Sequence, residues 1–218
     1  MALKNIDAVI FDLDNTLYSE EEFYFQYFKI FLVKFDIKKQ IFKIDILKNA
    51  LLKIGKFNHI NHDKSYKLLI SFKCKLKLFK GVSEILNFLK KDNKIKIGIL
   101  TNGSAKIQKK KITNLKITKK VDEIIYASNF KKQKPFKYSF IEILKLLKAN
   151  PKKTIFVGDN YKTDITGAKK LGMFTIHYSK KNKVKKNKDV DKTAKNFQEV
   201  KMIFKYLKKN FKNLNLQK

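Results

Sequence analysis

The chain has 218 residues, of which 44% are hydrophobic and 13% aromatic, with only 7 Gly and 2 Pro. That is enough chain for one ordinary domain, or a core domain carrying a small insert, and its apolar content excludes a disordered or low-complexity polymer. The formal charge is +32, from 51 basic residues against 19 acidic ones, and every basic residue is lysine.

The first apolar run, residues 6–11 (IDAVIF), reads as a buried strand and is followed at once by Asp12-Leu13-Asp14-Asn15-Thr16. The next sixty residues break with that pattern. Tyr24, Tyr27, Phe28, Phe31, Leu32 and Phe35 recur at helical spacing behind a Ser19/Glu22 capping box. Ile44, Leu47, Leu51 and Ile54 repeat the spacing, and residues 66–78 add a third helix. His59 and His62 are spaced like metal ligands, but their context reads as a loop between these helices. Cys74 is placed on the third helix as core filler.

Strands and helices then alternate. Runs at 95–100, 123–127, 154–157 and 174–178 read as strands, and 82–89, 140–147 and 164–171 as helices. Such alternation predicts an α/β fold, a parallel sheet covered by helices on both faces. Ligands of such sheets bind outside the carboxyl ends of the strands. The polar clusters sit there: Asp12 and Asp14, Thr101-Asn102-Gly103, Lys134-Pro135, and Gly158-Asp159 with Asp164. Residues 179–188 read as a lysine-rich linker, and Phe197, Val200, Phe204, Leu207 and Phe211 as the stripe of a final docking helix.

Asp12 and Asp14 would repel in a dry cleft unless a cation or a shared proton stabilised them. An all-oxygen donor set suits a hard ion, Mg2+ above all. Asp159 and Asp164 at a second strand end strengthen that reading in a chain saturated with lysine.

Taken in order, Asp12-Leu13-Asp14-Asn15-Thr16, Thr101-Asn102-Gly103, Lys134-Pro135 and Gly158-Asp159-Asn160-Tyr161-Lys162-Thr163-Asp164 resemble the four motifs of the haloacid dehalogenase (HAD) superfamily of hydrolases. The resemblance runs from about residue 6 to 178. It implies a Rossmann-like core over residues 1–17 and 80–218 and an all-helical cap over 18–79. It also implies roles. Asp12 is the nucleophile, Asp14 the general acid/base, and Lys134 the residue that neutralises charge around Asp12 and the phosphate. Thr101 and the Asn102 amide bind the phosphoryl group, again with Lys134. Mg2+ is held by Asp12, the Asp14 backbone carbonyl and Asp159, with Asp164 behind them. The presence of Asp14 favours phosphoryl transfer over dehalogenation, and a helical cap fits a small phosphorylated metabolite, a sugar phosphate or nucleotide. Gln108 and Lys111 after the second motif resemble a branch of nucleotidases and acyl-sugar phosphatases. The departures are Phe136-Lys137 after Lys134-Pro135, and Asn129 where relatives carry an acid.

The lysine excess runs along the whole chain and is densest toward its end. Without a single Arg, it reads as compositional bias ahead of a nucleic-acid surface. The competing reading is an idle scaffold that binds nucleic acid through residues 179–218. One cysteine, no apolar run long enough for a bilayer and no signal-peptide pattern point to a soluble cytoplasmic protein.

Overall fold

A computed structural model of the chain describes residues 6–34, 62–130, 133–180 and 187–214. Six parallel strands form one sheet: β1 (Ala8–Phe11), β2 (Lys96–Thr101), β3 (Glu123–Tyr126), β4 (Thr154–Gly158), β5 (Phe174–Tyr178) and β6 (Lys192–Ala194). Their order is β3-β2-β1-β4-β5-β6, so the direction of winding reverses between β1 and β4. A crevice opens at such a reversal, above the carboxyl ends of the strands.

Side chains alternate across the sheet and each face receives its own helices. Val9 and Phe11 of β1 join Ile97, Ile99, Ile155 and Val157 in one cluster. It is covered by α3 (Val82–Lys90), α4 (Ala105–Asn114) and α7 (Phe197–Leu214). Ala8, Ile10, Leu100 and Phe156 face the other way, under α5 (Lys137–Leu147) and the short α6 (Thr166–Lys170). The α/β architecture read from the sequence is therefore the observed one.

The docked end of the chain is part of that core. Phe197, Val200, Phe204 and Leu207 are all buried, as their spacing on an amphipathic helix requires. The ring of Phe204 meets Phe11 edge-on, centroids 6.5 Å apart. Truncating Phe204 to Ala should cost about 3–5 kcal/mol in a urea titration. Strand β6 was not visible in the sequence: three residues of a lysine-rich stretch carry no periodic signal.

The helical segment after β1 differs from its reading at His62 and beyond Ser71. α1 (Glu20–Lys34) buries Phe23, Tyr27, Phe28 and Phe31. It packs on α2 (His62–Ser71) through Phe72, whose ring lies 5.2 Å from Phe23 and 5.5 Å from Tyr27. Here the helix ends at Ser71 and does not continue to Leu78. Phe72, Cys74 and Leu76 are buried while Lys73, Lys75 and Lys77 are exposed, a period of two that suits extended chain. Cys74 is thus buried, but beyond the helix. His62 opens α2 and does not lie in a loop. The 44–54 repeat and His59 fall outside the described residues.

Tyr18 pairs in parallel with Asp14 and antiparallel with Leu78, so the two connections of the segment leave the sheet side by side. No helix among the described residues is long and apolar enough to cross a membrane.

Candidate active site

Strands β1, β2 and β4 bring the predicted residues to one end of the sheet. Asp12 follows β1 and its backbone N–H donates to the Val157 carbonyl of β4. Asp12 is buried, 6% exposed. Oδ1 accepts from Lys134 Nζ at 2.6 Å and Oδ2 from the Thr16 hydroxyl at 2.9 Å. Thr16 in turn accepts from the Asp159 N–H at 3.0 Å, so one hydroxyl ties the first cluster to the fourth.

Lys134 uses all its donors. Besides Asp12 it reaches Asp164 Oδ1 at 2.7 Å and the Leu100 carbonyl at 3.0 Å, and its side chain is 2% exposed. Asn102 braces the backbone of Lys134 from both sides, donating to its carbonyl and accepting from its N–H.

Asp164 is set by a tight π-turn (Tyr161–Ile165) whose first carbonyl partner is Asn160. Its Oδ2 also accepts from the Asn160 N–H at 3.1 Å. The turn fits because residue 158 is glycine. A Cβ there would stand 2.5 Å from Asp164 Oδ2, closer than any side chain tolerates. His177 of β5 lies with Nε2 2.8 Å from the Asp159 carbonyl and so steadies the same loop.

Asp12, Asp159 and Asp164 each offer a carboxylate oxygen, all within 4.8 Å of one another. One ammonium faces these three acids, and the imbalance shows in their proton affinities. Burial lifts the Asp12 carboxyl well above its ordinary range; Lys134 opposes this, while Asp164 and Asp159 add to it. The Asp159 carboxyl is pushed up to about 7, first by burial and then by Asp164, against the pull of Lys134. Burial works to lower Lys134, but Asp12 and Asp164 outweigh it and the net shift is upward. Crowded oxygens with too little positive charge are the donor set of a hard divalent cation.

Asp14 does not bring its side chain into that cluster. Its Oδ1 accepts from Lys111 Nζ at 2.7 Å and from the Tyr18 hydroxyl, and its Oδ2 from Gln108 Nε2. Gln108 also reaches Thr101 Oγ1 at 2.9 Å and the Asn102 carbonyl. Thr101 is thus buried and engaged within the protein. Tyr18 and His177 had no signal as site residues in the sequence, and Thr16 appeared there only as the last residue of the first motif.

Fold, strand-end clusters and carboxylate geometry together define a hydrolase of one superfamily. Residues 9–178 match the family described as haloacid dehalogenase-like hydrolase, and the chain belongs to it. The chain is 29% identical to the glyceraldehyde 3-phosphate phosphatase of Methanocaldococcus jannaschii, across 94% of this chain and all of that protein. It is 27% identical to the pyrophosphatase PpaX of Bacillus mycoides, across 80% of this chain and 84% of that one. In three dimensions it resembles the magnesium-bound putative HAD-hydrolase YfnB of Bacillus subtilis, with a TM-score of 0.74 and 15% identity. That match covers 92% of this chain and 99% of the other, and at such identity it speaks to the fold alone.

Proposed function

We propose that the protein is a Mg2+-dependent phosphatase that hydrolyses a small phosphorylated metabolite, a sugar phosphate or nucleotide, through an aspartyl-phosphate at Asp12. The observation that supports this most is the Asp12–Lys134–Asp164 chain of contacts beside Asp159, where a candidate nucleophile, its counter-charge and an oxygen-only cation site share one end of the sheet. The names of the two relatives, both phosphate-releasing enzymes, favour the same class of substrate.

In this reading an Asp12 oxygen attacks phosphorus, the ester P–O bond breaks, and Asp14 delivers a proton to the departing oxygen. Asp14 then takes a proton from the water that attacks the phosphoryl group, which frees Asp12. Lys134 holds Asp12 in place and balances charge on the transferring group. Thr101 and the Asn102 amide supply donors to its oxygens. Asp12, the Asp14 carbonyl and Asp159 would hold Mg2+, with Asp164 orienting Lys134 and the loop behind them. When bound, the ion supplies the positive charge that lets an anionic carboxylate approach an anionic phosphate. Residues 18–79 serve as a helical cap over a core of 1–17 and 80–218.

Purified protein should release p-nitrophenol from p-nitrophenyl phosphate with Mg2+ and stop when a chelator is added. Undiminished turnover in excess chelator contradicts the reading.

The Asp159 shift gives a second expectation. Without a cation the folded protein holds that proton to about pH 7, whereas an unfolded Asp releases it near pH ~4. The folded state then binds more protons across that window, so stability falls as pH rises through it. Mg2+ replaces the proton. At a fixed Mg2+ concentration the rise in Tm should therefore be larger at about pH 8 than at about pH 5.5, measured by thermal shift.

A further inference from the structure

Lys111 is a buried lysine that the chemistry above does not use. Its side chain is 2% exposed, as buried as that of Lys134. It lies on the inner stripe of α4 with Ile107, Gln108 and Ile112. Burying an ammonium is costly unless it is paired. The pairing here is specific: Nζ lies 2.7 Å from Asp14 Oδ1 and 3.7 Å from Glu20 Oε1. Aromatic rings close the remaining sides, with Phe23 at 4.8 Å, Tyr24 at 5.5 Å and Tyr18 at 5.9 Å from Nζ to ring centroid.

We propose that Lys111 and Tyr18 are positioning residues that hold the Asp14 carboxylate where the leaving group departs, and that Lys111 ties this placement to α1 through Glu20. The inference rests on the phosphatase reading. In-line displacement puts the leaving oxygen on the side of phosphorus opposite the nucleophile. A proton donor for that oxygen must stand outside the Asp12, Asp159 and Asp164 cluster. Asp14 does so, with both its oxygens engaged: Oδ1 by Lys111 and Tyr18, Oδ2 by Gln108. Gln108 links the same carboxylate to Thr101 and the Asn102 carbonyl. Glu20 and Tyr24 belong to α1, so a shift of this helix moves the partners of Lys111 and the aim of Asp14 with them.

A misplaced proton donor slows only esters whose leaving group needs a proton. The test compares the full-length wild type with Lys111→Met and Tyr18→Phe on aryl phosphates from dinitrophenyl to phenyl, with Mg2+. kcat/KM ends at the first irreversible step, so it reports transfer from the ester and not the later attack of water. Both variants should lose about 10²-fold or more on phenyl phosphate and less than about 3-fold on dinitrophenyl phosphate. An equal loss along the series, or none, overturns the inference, since a merely structural role has no leaving-group dependence. If Lys111→Met does not fold, Tyr18→Phe decides alone, because it removes one hydroxyl and keeps the lysine. An inactive wild type overturns the phosphatase reading itself, and the inference with it.

Discussion

Asp12→Asn should abolish phosphate release, lowering kcat by about 10⁴-fold or more, while the protein stays folded. The amide keeps the size and one oxygen of the carboxylate but cannot attack phosphorus as an anion. Stability should hold or improve. Burial and two neighbouring acids make an ionised Asp12 unfavourable where it stands, and removing a strained functional charge often stabilises a fold. Thermal melts beside a p-nitrophenyl phosphate assay separate the two effects. Comparable losses of Tm and activity would mean that Asp12 is structural.

Lys134→Met should have the opposite profile and damage both. Among the described residues the ammonium is the one cation joining Asp12 and Asp164, and it also satisfies the Leu100 carbonyl. Its loss leaves buried carboxylates without a partner, a change worth about 3–5 kcal/mol in a urea titration. Activity should fall by about 10²-fold as charge on the transferring group goes unbalanced. Mg2+ should recover part of the lost stability, because it supplies positive charge to the same acids. A variant as stable as the wild type without Mg2+ would mean that these carboxylates are already neutral.

What the sequence disclosed of this site follows from where information sits in a parallel sheet. Strand ends carry the chemistry, so Asp12, Thr101 and Asp159 announced themselves by their place after apolar runs, and Lys134 by standing ahead of Pro135. Residues that hold those groups gave weaker signals. Thr16 lies beside Asp12 in sequence, but its double role depends on β4 arriving next to β1. Lys111 stands last in a run of three lysines, which looks like a solvated face. Only its place on the same stripe as Ile107 and Ile112 marks it as buried. The extended chain at 72–78 shows how a local pattern can mislead. Its aromatic start suits a helix, yet strict alternation with lysine decides for extended backbone once each apolar side chain has a core to enter. The charge of +32 did not single out the site, which combines a few retained acids with two buried lysines, Lys111 and Lys134.

If Asp12 is the nucleophile, phosphorus is bonded to it during turnover, and Asp14→Asn with dinitrophenyl phosphate and Mg2+ should trap that adduct. That leaving group departs without a proton, so transfer to Asp12 proceeds while activation of water is lost and the adduct accumulates. Acid quench followed by peptide mass spectrometry should find one phosphoryl group on the peptide containing Asp12. Turnover by the wild type with no adduct in Asp14→Asn, or an adduct on any other residue, would contradict it.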